Sequence, residues 1–308
     1  MTPAPLPDAA NDNWVDRFAP PWLQPWLRLG RFDRPAGAWL LLLPGWQGIA
    51  LAASQLGVAA SLVLLLKFAV GAFLMRAAGC AWNDILDRDI DAKVARTAAR
   101  PVASGQISVK QALAFLAACC LASFAILITL PPVAIGLGVG SLALVAAYPL
   151  MKRITWWPQA WLGLTFNWGA ILGYAAVTGA VSLSSLLLYV GGVFWTLGYD
   201  TIYAIQDMED DALAGVKSSA RRLGDNAPRG VLIFYGLAAL FALAAGQQAR
   251  LGPGFLVFGV AYALHLFDQA RRVRIDDGAQ ALRLFKSNRT AGLILYLGLI
   301  AGAWRVSI

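Results

Sequence analysis

Apolar runs long enough to cross a bilayer recur nine times in this sequence, at roughly 36–55, 61–82, 108–129, 132–149, 160–178, 183–204, 230–248, 252–270 and 290–306. About 20 apolar residues in a helix span the hydrocarbon, where backbone groups find no water and bond within their own segment. The pattern predicts an all-α integral membrane protein with nine transmembrane helices. Only 14% of the residues are charged, against about 25% in ordinary soluble domains, and no alternating strand pattern supports a barrel.

Twenty of the 25 Lys and Arg residues fall before the first run or after the second, fourth, sixth and eighth. Loops rich in Lys and Arg stay on the cytoplasmic side, so the N-terminus and these connections are expected there, and the C-terminus outside. That orientation requires an odd number of spans. The net charge of +8 then reflects topology and attraction to anionic headgroups, and calls for no nucleic acid. The first 25 or so residues contain no apolar run that would mark a cleaved signal, and Asp8, Asp12 and Asp16 are unlike a mitochondrial presequence. A bacterial inner membrane is the expected location. Residues 1–30 read as a polar, Pro-rich tail with a short interfacial helix around Trp22 and Trp26, and 31–308 as the membrane domain. Cys80, Cys119 and Cys120 sit inside apolar runs without metal-ligand spacing and read as packing residues.

Nine of the 17 acidic residues crowd into two stretches, 83–91 and 200–211, each directly after an apolar run. Read as helices, Asn83, Asp87 and Asp91 share one face, as do Asp200, Asp207 and Asp211. Like charges at that spacing repel unless a cation lies between them. Oxygen donors without Cys or His suit Mg²⁺, which keeps waters and commonly binds through one or two carboxylates and a substrate phosphate. Cations accompany both stretches: Arg76 two turns before Asn83, then Lys93, Arg96 and Arg100, and Lys152, Arg153 and Lys217 near the second. Together with the carboxylates they describe a site for a metal-chelated diphosphate. Arg34, just before the first run, belongs to neither acidic helix and stands apart from the diphosphate cluster. Asn167, a polar group at membrane depth, is a candidate lining residue, whereas His265 reads as packing.

The two halves repeat an order: apolar helix, acidic cluster, then two basic residues four apart (Arg96 and Arg100; Lys217 and Arg221). The repeat predicts two four-helix units plus a ninth helix, with a site between them. The connections at roughly 84–107 and 207–229 are long enough to act as cytoplasmic caps.

RFDRPAG from Arg31, MRAAGCAWNDILDRDIDAKVARTAARPVASG, YPLMKRITWWPQ and GYDTIYAIQDMEDDALAGVKSSARRLG, in that order, resemble the UbiA superfamily of intramembrane aromatic prenyltransferases. The second acidic motif resembles most its 4-hydroxybenzoate polyprenyltransferase branch. The resemblance implies a nine-helix bundle with a central cavity open to lipid and a Mg²⁺-dependent transfer of a polyprenyl chain to the ring carbon ortho to the hydroxyl of 4-hydroxybenzoate, an early step of ubiquinone biosynthesis. Asn83, Asp84, Asp87, Asp91, Asp207 and Asp211 match the family's acidic positions, and Arg153 a basic one. Asp87, Asp91, Asp207 and Asp211 are the expected catalytic residues. Asp200 and Tyr203 match the second motif and, with Arg34 for the aromatic carboxylate and Asn167, are the candidates for acceptor binding. The implied partners are the two substrates and membrane lipid, and the sequence points to no protein partner. The alternatives are another acceptor within the superfamily and a cation-coupled transporter, whose acids would sit nearer the bilayer midplane.

Overall fold

The computed structural model describes residues 13–93, 97–213 and 215–304, and among them every regular element is helical. The order is α1 (Trp14–Phe18), α2 (Gln24–Leu29), α3 (Ala36–Leu56), α4 (Leu62–Leu86), α5 (Arg88–Asp91), α6 (Val109–Leu127), α7 (Pro132–Ile154), α8 (Pro158–Thr178) and α9 (Leu183–Ala204). After a 3-10 turn, Ile205–Asp207, come α10 (Met208–Leu213), α11 (Ser219–Leu223), α12 (Ala227–Gln248), α13 (Pro253–Arg272) and α14 (Gly278–Ala301). Serine capping boxes start α6 (Ser108 with Gln111) and α9 (Ser182 with Ser185), satisfying N–H groups with no partner in their own helix. Prolines at the first turn begin α7, α8, α12 and α13.

Among the described residues, six helical segments are long and apolar enough to cross a membrane: α3, α4, α6, α7, α8 and the stretch Ser219–Gln248 that contains α12. The last two expected runs and the one at 183–204 form helices too, but polar side chains hold them below that hydropathy. α14 starts at Gly278, well before the expected 290, because the Asp277 carboxylate caps it by accepting from Gln280 N at 2.8 Å. Its first half therefore carries Arg283, Lys286, Asn288 and Arg289. Asn288, fully buried, accepts from Trp195 Nε1 of α9 at 2.8 Å and donates to Gln269 Oε1 of α13 at 2.9 Å. The Tyr235 hydroxyl of α12 lies 3.1 Å from both Gln269 Oε1 and Asn288 Oδ1. Four helices are thus joined by hydrogen bonds among buried polar groups, with Gln269 Nε2 left buried without a partner.

The chain divides into two compact units that do not follow its sequence halves: residues 1–39 with 69–129, and 40–68 with 130–308. Small residues explain why most of α3 goes with the second half. A Cβ at Gly48 would lie 2.1 Å from Ala170 O, and one at Gly173 would lie 2.3 Å from Gly45 O, so α3 and α8 touch backbone to backbone. Gly169 and Gly173 form the G-x-x-x-G spacing that permits such an approach between membrane helices. In the other unit, Leu29 of α2 packs with Ala81 of α4, Ala112 of α6 and Val102 and Ile107 of the connection, with Trp26 against this cluster. The expected interfacial helix is therefore docked on a core through Trp26 and Leu29, while Trp22 stays exposed. Cys80 and Cys119 are buried free thiols, as packing residues would be.

Candidate functional site

The first acidic stretch occupies the end of α4 and all of α5. Asp87 interrupts the helix, yet Asp87 N donates to Asn83 O at 2.9 Å and Asp91 N to Asp87 O at 2.8 Å, so the four-residue spacing survives the break. Asn83 is half-buried, and Asp84, Asp87 and Asp91 are almost fully buried, whereas Asp89 is exposed and pairs with Arg88. Three carboxylates in so dry a place require positive charge.

Part of it is supplied by arginines. Asp84 Oδ1 receives Arg31 Nη2 at 2.6 Å and lies 3.4 Å from Arg100 Nη1, which also donates to Asp91 Oδ2 at 2.8 Å. Burial raises the Asp91 carboxyl above its ordinary range, Arg100 draws it down, and Asp84 and Asp87 push it up. Thr97 fixes the return of the chain by donating to Asp91 O at 3.0 Å, and Arg100 N bonds Thr97 O. Asp84 Oδ2 is buried without a hydrogen-bond partner, as is Asp33 Oδ1, whose other oxygen holds Arg34 at 2.9 Å. Arg76 lies against the first turn of α3, where a Cβ at Gly37 would come within 2.8 Å of Arg76 Nη2. Lys93 is exposed, and Arg96 lies outside the described residues.

The second stretch departs from the single helical face expected for Asp200, Asp207 and Asp211. α9 ends at Ala204, tightens into the 3-10 turn that contains Asp207, and resumes as α10 with Asp211. Asp200, Asp207 and Asp211 are all half-buried. Tyr203 is half-buried with its ring centroid 4.7 Å from that of Phe285. Lys152 and Arg153 lie inside the last turn of α7, which runs through Pro149 beyond the expected end of its apolar run. Lys217 is tied to that turn, its N–H to Lys152 O at 3.1 Å and its ammonium to Ile154 O at 3.2 Å. Arg221 donates to Asp211 O at 3.1 Å and to Val216 O.

Asn167 is buried at membrane depth. Its amide donates to Gly163 O at 2.9 Å and Thr196 Oγ1 at 2.7 Å, and a Cβ on Gly192 would overlap it, so it joins α8 to α9. Sequence reasoning passed over several residues that order these segments. Gln159 accepts from Ser219 N at 2.9 Å, and Ser219 Oγ lies 2.6 Å from Thr201 Oγ1. Their signal, a small polar residue inside an apolar or basic context, is shared with every helix cap.

The donor set fits a hard divalent cation. The acidic positions offer oxygen alone, and a buried carboxylate oxygen stands without a donor. Among the described residues no three His, Cys, Asp or Glu side chains form a closed cage. A Mg²⁺ site of that kind takes the rest of its shell from water and phosphate.

A model described as the UbiA prenyltransferase family matches residues 41–297. The human mitochondrial 4-hydroxybenzoate polyprenyltransferase is 47% identical over 289 residues, covering 92% of this chain and 76% of that protein. The mitochondrial 4-hydroxybenzoate polyprenyltransferase of Arabidopsis thaliana is 44% identical over 291 residues, 94% of this chain and 71% of that protein. Among solved structures, a UbiA homologue from Aeropyrum pernix K1 superposes with a TM-score of 0.73 at 28% identity, covering 85% of this chain and 96% of that one. A UbiA homologue from Archaeoglobus fulgidus, bound to GPP and Mg²⁺, gives 0.67 at 20% identity, covering 90% and 99%, and shares the fold.

Proposed function

Because the chain belongs to the UbiA prenyltransferase family, we propose that it transfers a polyprenyl group from polyprenyl diphosphate to the ring carbon ortho to the hydroxyl of 4-hydroxybenzoate. The observation that carries this reading is near-half identity over almost the whole chain to relatives named for that reaction. The reaction is an early membrane step of ubiquinone biosynthesis and requires Mg²⁺. The protein sits in a bacterial inner membrane.

Breaking the allylic C–O bond puts negative charge on pyrophosphate and positive charge on the prenyl carbon. Bound Mg²⁺ supplies Lewis-acid stabilisation of the leaving group. Asn83, Asp84, Asp87 and Asp91, and Asp207 and Asp211 in the second motif, are the residues that would hold the cation through oxygen. Arg76, Lys93, Arg96, Arg100, Lys152, Arg153 and Lys217 are the residues that would bind the diphosphate and stabilise its growing charge. The phenol ring attacks as a carbon nucleophile, and a carboxylate or the released pyrophosphate takes the ring proton. Apolar surroundings keep water from the prenyl cation.

Acceptor recognition falls to Arg34, with Asn167, Asp200 and Tyr203. Asp33 holds the Arg34 guanidinium through two nitrogens, Nε at 3.2 Å and Nη2 at 2.9 Å, which presets its direction. Arg34→Ala raises the KM for 4-hydroxybenzoate and leaves that for the prenyl diphosphate unchanged, since losing one charge-assisted bond costs about 1.5–3 kcal/mol. Steady-state kinetics with each substrate varied in turn make the test. A shift confined to the diphosphate would reassign Arg34.

Nine spans, α3, α4, α6, α7, α8, α9, α12, α13 and α14, place both acidic motifs on the cytoplasmic side and the C-terminus in the periplasm. A reporter fused after Ile308 should be periplasmic and one inserted near Ala95 cytoplasmic. Both on one side would rule out the odd number of spans.

A further inference from the structure

Arg31 occupies a backbone position that an arginine should avoid. α2 ends in a Schellman motif: Arg31 N bonds Arg28 O at 3.1 Å and Phe32 N bonds Leu27 O at 2.9 Å. The residue between the helix and the second of these bonds turns left-handed, and here it is Arg31, at φ 59°. Glycine is the usual occupant because it has no Cβ to clash, and any other ordinary residue costs roughly 1 kcal/mol or more there. A glycine is present one position earlier, at Gly30, but not at the turn itself. The arginine side chain must contribute something that outweighs the backbone cost.

What it does is visible at its far end. Nη1 donates to Arg28 O at 2.9 Å, which steadies the guanidinium on the helix end, and Nη2 donates to Asp84 Oδ1 at 2.6 Å. The Arg31 side chain is 10% exposed and that of Asp84 1%. With Oδ1 engaged by Arg31 and approached by Arg100, the carboxylate plane of Asp84 is fixed, and Oδ2 is left buried and without a donor.

We propose that Arg31 is a positioning residue for the divalent cation, fixing Asp84 so that its free oxygen is presented to the metal. It acts through Asp84 and touches neither substrate. The inference rests on the metal-dependent transferase reading above and adds a residue that the acidic motifs do not contain. Groups that orient a metal ligand commonly change metal affinity about 10–100-fold when removed.

The test uses the full chain purified in lipid or detergent, with Arg31→Gly, Arg31→Gln and Arg31→Lys. Arg31→Gly suits the left-handed turn better than arginine does, which sets backbone relief against loss of the side chain. Two quantities are read: the Mg²⁺ concentration giving half-maximal prenyl transfer, and the rise in thermal unfolding temperature on adding Mg²⁺ alone. Both neutral variants should need at least about tenfold more Mg²⁺ and lose the Mg²⁺-induced stabilisation, with the KM for prenyl diphosphate at saturating Mg²⁺ within about twofold of wild type. Arg31→Lys keeps the charge but not the two-point hold, and should fall between. A folded neutral variant with the wild-type Mg²⁺ curve overturns the proposal. If neither neutral variant folds, an unchanged curve in Arg31→Lys overturns it and a shifted one supports it. A wild-type protein indifferent to Mg²⁺ would instead overturn the metal reading itself, and Arg31 with it.

Discussion

Asp87→Ala and Asp207→Ala should each reduce prenyl transfer by at least about 100-fold, the scale expected when a group that stabilises transition-state charge is lost. Asp87 is fully buried at the break between α4 and α5, with its N–H and C=O both in the main-chain ladder that keeps Asn83, Asp87 and Asp91 in step. The substitution leaves that ladder intact, since alanine keeps both backbone groups, and removes the carboxylate together with the contacts it makes. Turnover is therefore compared per folded protein recovered by size exclusion, and it should collapse on that basis. Asp207 lies in the 3-10 turn after α9, half-buried, and the same comparison per folded protein applies there. Wild-type rates in either variant would move the metal site elsewhere.

Gly48→Leu and Gly173→Leu should lose most of the folded protein. The positions sit where α3 and α8 meet through backbone, and even a Cβ would approach a carbonyl oxygen to 2.1 Å at Gly48 and 2.3 Å at Gly173. A clash with a flexible side chain can be relieved by a rotamer change, but here a helix must move. Overpacking a tight site costs about 1–3 kcal/mol and more when backbone rather than side chain has to yield. Gly140→Leu in α7 supplies the control, since a Cβ there meets nothing within 4 Å. Thermal unfolding and the monodisperse fraction after detergent extraction should separate the pair from the control. Equal behaviour of all three would mean that α3 and α8 do not depend on this contact.

Hydropathy located the helices because burial in lipid leaves a signal in every residue of a span, and α3, α6 and α8 begin and end within a few residues of the expected runs. It failed where polar side chains find partners on other helices. Asn288 looks like the edge of a span when read alone, and becomes an interior residue only beside Trp195, Tyr235 and Gln269. Asn167 shows why such groups are ambiguous in sequence, since a polar residue at membrane depth signals a site or a helix contact, and the Thr196 contact is visible only in the structure.

The first acidic motif was legible because repeated spacing of one residue type is a strong pattern. Arg31 was not, because three charges ahead of an apolar run also describe a membrane anchor. Its distance of 53 residues from Asp84 along the chain hides the pairing. The break at Ala204 was hidden as well: helix propensity continues through the second motif, and only the hydrogen bonds reveal the tightened turn.

The most direct measurement is prenyl transfer by isolated membranes given 4-hydroxybenzoate and polyprenyl diphosphates of several lengths, with and without excess EDTA. The product should be 4-hydroxybenzoate alkylated ortho to its hydroxyl, formed in the presence of Mg²⁺, abolished by chelator and restored by adding the metal back. Full turnover in excess EDTA would contradict the metal site, and prenylation of a different aromatic acceptor in preference to 4-hydroxybenzoate would contradict the assigned reaction.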